Sequence, residues 1–219
     1  QICSDAWQGL RLTGRADLHC YFWPAAARLL KPDGYFGFLT SSSWMDVEYG
    51  FALQGWMLRH FRILAVMESA AEPWFEDARV KTCVAILQRC DDEAARMANR
   101  VRFVRFARKL ADIIGIPPGQ DEEKRQAAIE ALRKRILDAE SDCQDQELRI
   151  IIKTKRDLWN DGVRAGHILG DADLDALAAE YENGTEGDDE TAAPAGPARP
   201  PKKENGDYKA GKWGRYVRA

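Results

Sequence analysis

The sequence has little of what marks a metal, disulfide or membrane protein. Its five cysteines are odd in number, widely spaced and never paired as Cys-x-x-Cys, and its three histidines are scattered. We therefore predict no metal centre, and we expect reduced thiols in a reducing compartment. No apolar run approaches the ~18 residues of a membrane span, and residues 1–5 do not resemble a signal peptide. We expect a soluble, cytoplasmic protein without a membrane partner.

The chain also lacks the net basic charge of a self-sufficient nucleic-acid-binding domain. It has 32 Lys and Arg against 35 Asp and Glu, a formal net charge of −3. Any contact with DNA must come from local patches or from parts of a longer protein. Because the sequence starts at Gln1 and stops at Ala219 without a helix cap or polar tail, we expect both ends to be cuts through a longer chain.

Apolar residues are plentiful enough for one domain with an appendage, at 45% of 219 residues. Between residues 16 and 30 they recur every three or four positions, which predicts a core-facing helix that Asp17 caps and Pro24 kinks or divides. A turn at 31–34 then precedes a short apolar strand at 35–40, typical of a strand buried on both faces.

The same unit repeats downstream. An amphipathic helix with apolar positions at 53–61 leads to a strand at 62–67, and a loop with Pro73, Trp74 and Phe75 leads to a third strand at 80–88. This order predicts an α/β fold, part of a doubly wound sheet whose last neighbouring strands can be antiparallel.

Beyond residue 90 the pattern is mixed α+β. It predicts a half-exposed strand at 101–106, a charged amphipathic helix at 122–140, a strand at 148–158 and a short acidic helix at 171–181. Residues 183–207 are rich in Gly, Pro, Glu and Asp and cannot bury enough surface to order themselves, which predicts a flexible linker.

The segment 208–218 interleaves aromatic and basic side chains. It offers four candidate partners for DNA phosphates: Lys209, Lys212, Arg215 and Arg218. Trp213 could stack on a base. A truncated strand of the next domain, with a solvated basic face, explains the same pattern.

Three blocks carry a family resemblance: A-D-L-H-C-Y-F at 16–22, L-L-K-P-D-G-Y-F-G-F-L-T at 29–40 and W-F-E-D-A-R-V-K-T-C-V-A-I-L at 74–87. In order and spacing they resemble the later motifs of gamma-type adenine-specific DNA methyltransferases, close to the large, Eco57I-like restriction-modification methylases and their phage-defence relatives. The resemblance covers residues 16–90 and is looser at 101–106 and 212–216. It implies the later half of a doubly wound, Rossmann-like methyltransferase sheet, and the composition downstream predicts that a mixed α+β insert and a disordered linker follow.

The resemblance and the change of composition divide the chain into four predicted parts. They are the C-terminal half of the methyltransferase catalytic domain at 1–90, a variable α+β extension at 91–182, a flexible linker at 183–207 and the truncated start of a target-recognition domain at 208–219.

The resemblance also implies a cofactor site. Phe22 stands where the family's D-L-x-x-x-F helix lines the pocket beside the adenine ring of S-adenosylmethionine, and Asp17 and Leu18 belong to the same motif. A core aromatic on a helix is the plainer interpretation of Phe22. The family usually has Tyr where His19 stands, so we expect His19 to be a packed or surface residue and not a catalytic base.

A second implied site holds the target base. Phe75 stands where the family places an aromatic ring against an adenine that has been swung out of the duplex, and such a base needs a stacking surface. Arg79 in the same loop is a candidate contact to the DNA backbone. The alternative is that Phe75, or its neighbour Trp74, simply plugs the edge of the sheet.

The segment that performs the chemistry is missing. Family members hold the adenine amino group with an Asn/Asp-Pro-Pro-Tyr/Phe tetrapeptide, whereas Pro117 and Pro118 follow Ile116 and precede Gly119, and no glycine-rich cofactor loop is present. We therefore assign no catalytic residue here and expect the chain alone to be inactive.

The sequence predicts a fragment of an enzyme that transfers a methyl group from S-adenosylmethionine to the exocyclic amino group of adenine in double-stranded DNA. Restriction-modification or phage defence is the expected setting, with restriction or defence subunits as partners. Two alternatives stay open, namely a non-catalytic DNA-recognition or assembly subunit with the same fold, and a methyltransferase acting on RNA or protein.

Overall fold

The fold comes from a computed structural model, which describes residues 10, 12, 14–75, 80–166 and 211–218. The predicted helix at 171–181, the predicted linker at 183–207 and the candidate residues Arg79 and Lys209 lie outside the described residues.

Six strands form one mixed sheet: β1 (Tyr35–Ser41), β2 (Phe61–Ser69), β3 (Thr82–Arg89), β4 (Arg100–Phe106), β5 (Cys143–Gln144) and β6 (Leu148–Thr154). Their spatial order is β1-β3-β2-β4-β6-β5. β3 is antiparallel to both β1 and β2, whereas β2 and β4 are parallel. The predicted α/β class and the antiparallel pairing of its last strands are confirmed. Strands from both sides of the predicted boundary at residue 90 share this sheet.

The helices are α1 (His19–Ala27), α2 (Glu48–His60), α3 (Glu93–Met97), α4 (Leu110–Ile114), α5 (Glu122–Leu137), α6 (Lys155–Arg164) and α7 (Gly214–Arg218), with a 3-10 turn at Ser42–Met45. α1 differs from its prediction in its cap, because Leu18 is the N-cap and no side chain bonds there. Pro24 lies inside α1 without ending it.

Two sequence-based strand predictions were wrong in detail. β1 is not buried on both faces, because Tyr35 and Gly37, which share one face, are exposed. It is also an edge strand of the sheet. The strand predicted at 148–158 ends at Thr154, whose side chain accepts a hydrogen bond from the Asp157 amide and starts α6 with a capping box. This reciprocal pairing satisfies two amides that would otherwise lack partners, so the chain turns helical there.

The sheet separates two apolar clusters. Successive residues of β4 alternate between them, with Phe103 in the larger cluster and Val104 in the smaller one. Residues of α1, α2, α6 and α7 fill the larger cluster, which contains the fully buried Trp23 and Trp44. Ile136 of α5 covers the smaller. The predicted amphipathic helix thus packs by its apolar stripe, as expected.

The segment 211–218 packs into the larger cluster. Trp213 is 1% exposed and meets the rings of Trp44 and Phe103 edge-on at centroid distances of 5.7 and 5.9 Å. Tyr216 and Val217 are also buried. The strand suggested for this segment is instead the short helix α7, and its aromatic side chains serve the core.

Arg218 ties α7 to the middle of the fold. Its Nε donates to Oε2 of Glu68 at 2.8 Å, its other nitrogens contact Asp46 and donate to Ser42 Oγ at 3.0 Å, and the Glu68 carboxylate is buried. The hydrogen bond with Glu68 raises the pKa of Arg218. Arg218 therefore neutralises a buried acid, and its suggested role as a phosphate partner is wrong in this arrangement.

Candidate functional site

A cleft of about 790 Å³ opens between α1, the end of β1 and the chain on either side of residues 76–79. Its lining consists of Asp17, His19, Phe22, Ala25, Ala26, Leu29, Phe38, Leu39, Thr40, Ser41, Phe75 and Val80. The walls are chiefly apolar, and polar groups are confined to the start of α1 and the end of β1. Such a cleft suits a flat, largely apolar ligand held by a few polar contacts.

Phe22 faces this cleft because α1 buries its opposite side. Trp23 and Ala27 point into the core, and Trp23 meets Phe36 and Phe38 edge-on at 5.5 and 5.0 Å between ring centroids. Phe22 itself is 53% exposed. The core aromatic of this helix is thus Trp23, and the Phe22 ring is left open on the cleft wall.

Phe75 forms part of the opposite wall and is 40% exposed. The neighbouring Trp74 turns away and packs against the smaller cluster, with its ring 6.3 Å from that of Phe106. Trp74 therefore packs against the sheet, whereas Phe75 lines the cleft. Phe22 and Phe75, distant in sequence, come to the same cavity.

Asp17 and His19 supply the polar group on the helix side. The Asp17 carboxylate lies 3.3 Å from Nδ1 of His19, and the His19 Nε2 lies 3.5 Å from the Cys20 sulfur. Burial lowers the pKa of His19, against the opposing attraction of Asp17. His19 thus has a contact at each ring nitrogen and lines the cleft, and its exclusion as a catalytic base stays a prediction.

The floor of the cleft is a hydrogen-bonded network after β1. The Thr40 hydroxyl lies 3.7 Å from the Cys83 sulfur, which also accepts a hydrogen bond from Trp44 Nε1 at 3.2 Å. Ser41 donates to Ser43, whose hydroxyl lies 2.6 Å from the Tyr49 hydroxyl. These bonds fix the direction of the chain where β1 opens into the 3-10 turn.

The two buried cysteines near the cleft are not nucleophiles. Burial raises the pKa of Cys20 and of Cys83 to about 12 in each case. Both thiols are therefore protonated at neutral pH, and only a thiolate attacks.

This predicts a clear order of thiol labelling. Cys143 is exposed, whereas Cys20, Cys83 and Cys90 are buried. In the native chain at pH 8, iodoacetamide should modify Cys143 at least tenfold faster than Cys20 or Cys83, because Cys143 is accessible and the raised pKa values of Cys20 and Cys83 keep those thiols protonated. Peptide mass spectrometry of timed samples measures the rates. Comparable rates at all of these sites would contradict the packing around the cleft.

The remaining predicted site residues are spread out. Leu18 is the N-cap of α1, 70% exposed and outside the cleft lining, although Asp17 beside it lines the cleft. Lys212 and Arg215 lie with α7, and the Arg215 guanidinium is 5.8 Å from the centre of the Tyr216 ring. The cleft thus unites Asp17, Phe22 and Phe75 but not Leu18, Lys212 or Arg215.

Sequence reasoning missed the floor of the cleft. Thr40 and Ser41 end a strand that was expected to be apolar, and polar residues at the end of a buried strand are a signal that could have indicated them. The pairing of Asp17 with His19 was also missed, although a carboxylate two residues before a histidine is a readable pattern.

In the part of the chain that the structure describes, no three His, Cys, Asp or Glu side chains are grouped so as to hold a metal ion. Nor do the helices described include one with the length and apolar character needed to cross a membrane.

Comparison with known proteins identifies the part of the chain that builds most of this cleft. Residues 7–75 match the Eco57I restriction-modification methylase family. This segment is therefore similar to Eco57I-like methylases. A stretch of 127 residues is also 32% identical to the type II methyltransferase M.XamI of Xanthomonas campestris pv. amaranthicola, covering 56% of this chain and 23% of that protein. The chain thus spans less than a quarter of this methylase.

A solved structure, the type IIG restriction endonuclease BpuSI, aligns with 78% of this chain and 18% of its own at 11% identity, with a TM-score of 0.46. The similarity to methylases rests on sequence, and the family match runs from residue 7 through α1 and β2 to Phe75.

Proposed function

We propose that the cleft belongs to the active site of an adenine-specific DNA methyltransferase, which moves a methyl group from S-adenosylmethionine to the exocyclic amino nitrogen of adenine. The observation that carries the proposal is that Phe22 and Phe75 face one cleft while their neighbours Trp23 and Trp74 are packed away. Two open rings on opposite walls offer two stacking surfaces, one for the cofactor and one for the base.

The helix side of the cleft fits S-adenosylmethionine. Ala25 and Ala26 leave space beside the Phe22 ring, so a flat adenine can lie against it. Asp17 is the nearby carboxylate, available to a hydroxyl donor of a ribose in addition to its contact with His19. When bound, this cofactor supplies an electrophilic methyl group on a sulfonium.

The loop side of the cleft fits a flipped base. An enzyme that modifies a base inside a duplex must extract it and stack it, and Phe75 presents a half-exposed ring for that purpose. Thr40 and Ser41 at the floor provide hydroxyls that can bond to the edge of such a ring. The chain's own contribution to the reaction is to orient two planar groups and exclude water between them.

The groups that hold the amino nitrogen are proposed to lie outside this chain, since the sequence has no Asn-Pro-Pro-Tyr-like tetrapeptide. The edge of the sheet supports a missing neighbour. Among the described residues the outer side of β1 has no strand partner, and Leu18, Leu29 and Tyr35 are exposed. Open edges with apolar surface are normally covered. Accordingly the chain alone should be inactive.

The biological setting we propose is a cytoplasmic restriction-modification or phage-defence system, with double-stranded DNA as substrate and restriction or defence subunits as partners. Contacts to the DNA backbone are proposed for Arg79, Lys212 and Arg215.

The test is methyl transfer by the full-length protein that carries this sequence. Labelled S-adenosylmethionine and duplex DNA should give N6-methyladenine, identified by mass spectrometry of the digested DNA. Phe22→Ala should lower the rate at limiting cofactor by roughly tenfold or more, because ring stacking contributes about 1–3 kcal/mol. Met97→Ala removes another exposed apolar side chain, on α3 and outside the cleft lining, and should leave the rate unchanged.

The outcomes separate the alternatives. DNA binding without methyl transfer would support a non-catalytic recognition or assembly subunit. Transfer of the label to RNA or protein, with none to adenine in duplex DNA, would replace the proposed substrate.

A further inference from the structure

At the opposite end of the sheet from the cleft lies a second, smaller cavity of about 210 Å³. Its basic lining residues are Arg59, Arg89 and Arg96, with His60 beside them, and we call it the arginine pocket. Tyr35 of β1 pairs with Gln88 next to this pocket, whereas Ser41 at the other end of β1 lines the cleft. On α1 the two sites are neighbours, because Ala27 lines the arginine pocket and Ala26 lines the cleft.

Positive charge in this pocket exceeds negative charge. Asp91 is the acidic residue of its lining, it lies 3.7 Å from Arg89, and its side chain is 71% exposed. The lining thus contains three guanidiniums and one partly solvated carboxylate. Lys155 adds a fourth cation nearby, since it is buried and both Arg96 and Arg59 lower its pKa, in addition to the effect of burial. Glu93 opposes this shift only in part.

Arg89 and Arg96 also have N–H groups that are not used in hydrogen bonds within the described part of the chain. Arg89 donates from Nη1 to the Leu30 carbonyl at 2.8 Å, and Arg96 donates from Nη1 to the Cys90 carbonyl at 2.6 Å. These bonds fix both guanidinium planes against the backbone. Within the described ranges, the second amino group of each guanidinium has no hydrogen-bond partner. A guanidinium that is held by the backbone on one side and open on the other offers N–H donors in a fixed orientation to an oxyanion.

We propose that the arginine pocket binds a phosphate group. A tetrahedral oxyanion matches the pocket in size and charge, it can accept hydrogen bonds from both forks, and it would relieve the repulsion among Arg59, Arg96 and Lys155. The phosphate can belong to a DNA backbone or to a small soluble anion, because both present the same group. The site is separate from the methyl-transfer cleft and does not depend on that activity.

Calorimetric titration of the full-length protein with inorganic phosphate, at constant ionic strength and pH 7.5, tests the proposal. Wild-type protein should bind saturably. The double variant Arg89→Gln/Arg96→Gln should raise the phosphate dissociation constant at least tenfold, and Asp91→Asn should lower it severalfold by removing the competing carboxylate. Arg133→Gln is the control, because that exposed arginine pairs with Glu130 on α5.

Asp91→Asn keeps the test decisive if the double variant does not fold, since the Asp91 side chain is largely solvated. Loss of duplex DNA binding together with phosphate binding in the double variant assigns the site to the DNA backbone. Loss of phosphate binding alone assigns it to a small anion. The same phosphate affinity in all four proteins, or no phosphate binding by wild type and Asp91→Asn, would overturn the proposal.

Discussion

Trp213→Ala is expected to lower the free energy of unfolding of the chain by about 3–5 kcal/mol, the usual cost of truncating a buried tryptophan. Trp213 is 1% exposed and packs edge-on between Trp44 and Phe103. Its loss removes both aromatic contacts and leaves a cavity at the base of α7. Because α7 also brings Arg218 to the buried Glu68, loosening this helix exposes an unpaired acid as well.

Urea denaturation followed by circular dichroism measures this change. Trp159→Ala is the matched control, because Trp159 is only partly buried and stacks under the Arg59 guanidinium at 4.8 Å. Its substitution should cost clearly less. A Trp213→Ala chain within about 1 kcal/mol of wild type would mean that residues 211–218 are not part of this core.

Phe75→Ala in the full-length protein should reduce DNA methylation by roughly tenfold to a hundredfold at saturating cofactor. The substitution removes a base–aromatic stacking energy of about 1–3 kcal/mol, which stabilises the extruded adenine in the cleft. The ring is 40% exposed and contributes to the cleft wall and not to either core cluster, so the fold should persist.

Single-turnover methylation of duplex DNA is the measurement, with thermal unfolding as a check on the fold. Phe75→Trp should restore much of the rate, because stacking needs an aromatic face and not a particular ring. Substitution of Trp74 should instead reduce stability, since that ring packs against Phe106. Equal methylation by wild type and Phe75→Ala would remove the base-stacking role.

The sequence predicted the elements that depend on local patterns. Apolar periodicity and turn residues were enough for α1, α2 and the first three strands, because their signals lie within a few residues of each other. The strand predicted at 148–158 is too long, because the apolar run ends at Ile152 and residues 153–157 are polar or charged. The Thr154–Asp157 capping box, which ends the strand, is a local signal that was present and not used.

The segment 211–218 could not be placed from sequence in the same way. Alternating aromatic and basic side chains fit a strand that faces DNA as well as a segment buried in the core. Only the residues that they contact in the folded chain distinguish the two. Arg218 contacts Glu68 and Asp46, which lie 150 and 172 residues away in the sequence, and no local pattern encodes such contacts. The edge position of β1 is similarly a property of the whole sheet and not of its own residues.

The two aromatic site residues were indicated by family motifs and not by physical pattern. Trp23 and Phe22 are adjacent aromatic residues on one helix, and the sequence alone does not show which side chain is buried in the core. The orientation of α1 decides which one is buried. The helix packs Cys20, Trp23 and Ala27 against the core, so Phe22 points outward.

The central claim is that one cleft holds a cofactor against Phe22 and a target base against Phe75. Calorimetric dissociation constants for S-adenosylmethionine, measured without DNA on the full-length protein, test it most directly. Phe22→Ala should weaken cofactor binding roughly tenfold or more, whereas Phe75→Ala should leave it within about twofold of wild type. Unchanged binding in Phe22→Ala, or an equal loss in both variants, would contradict this division of the cleft.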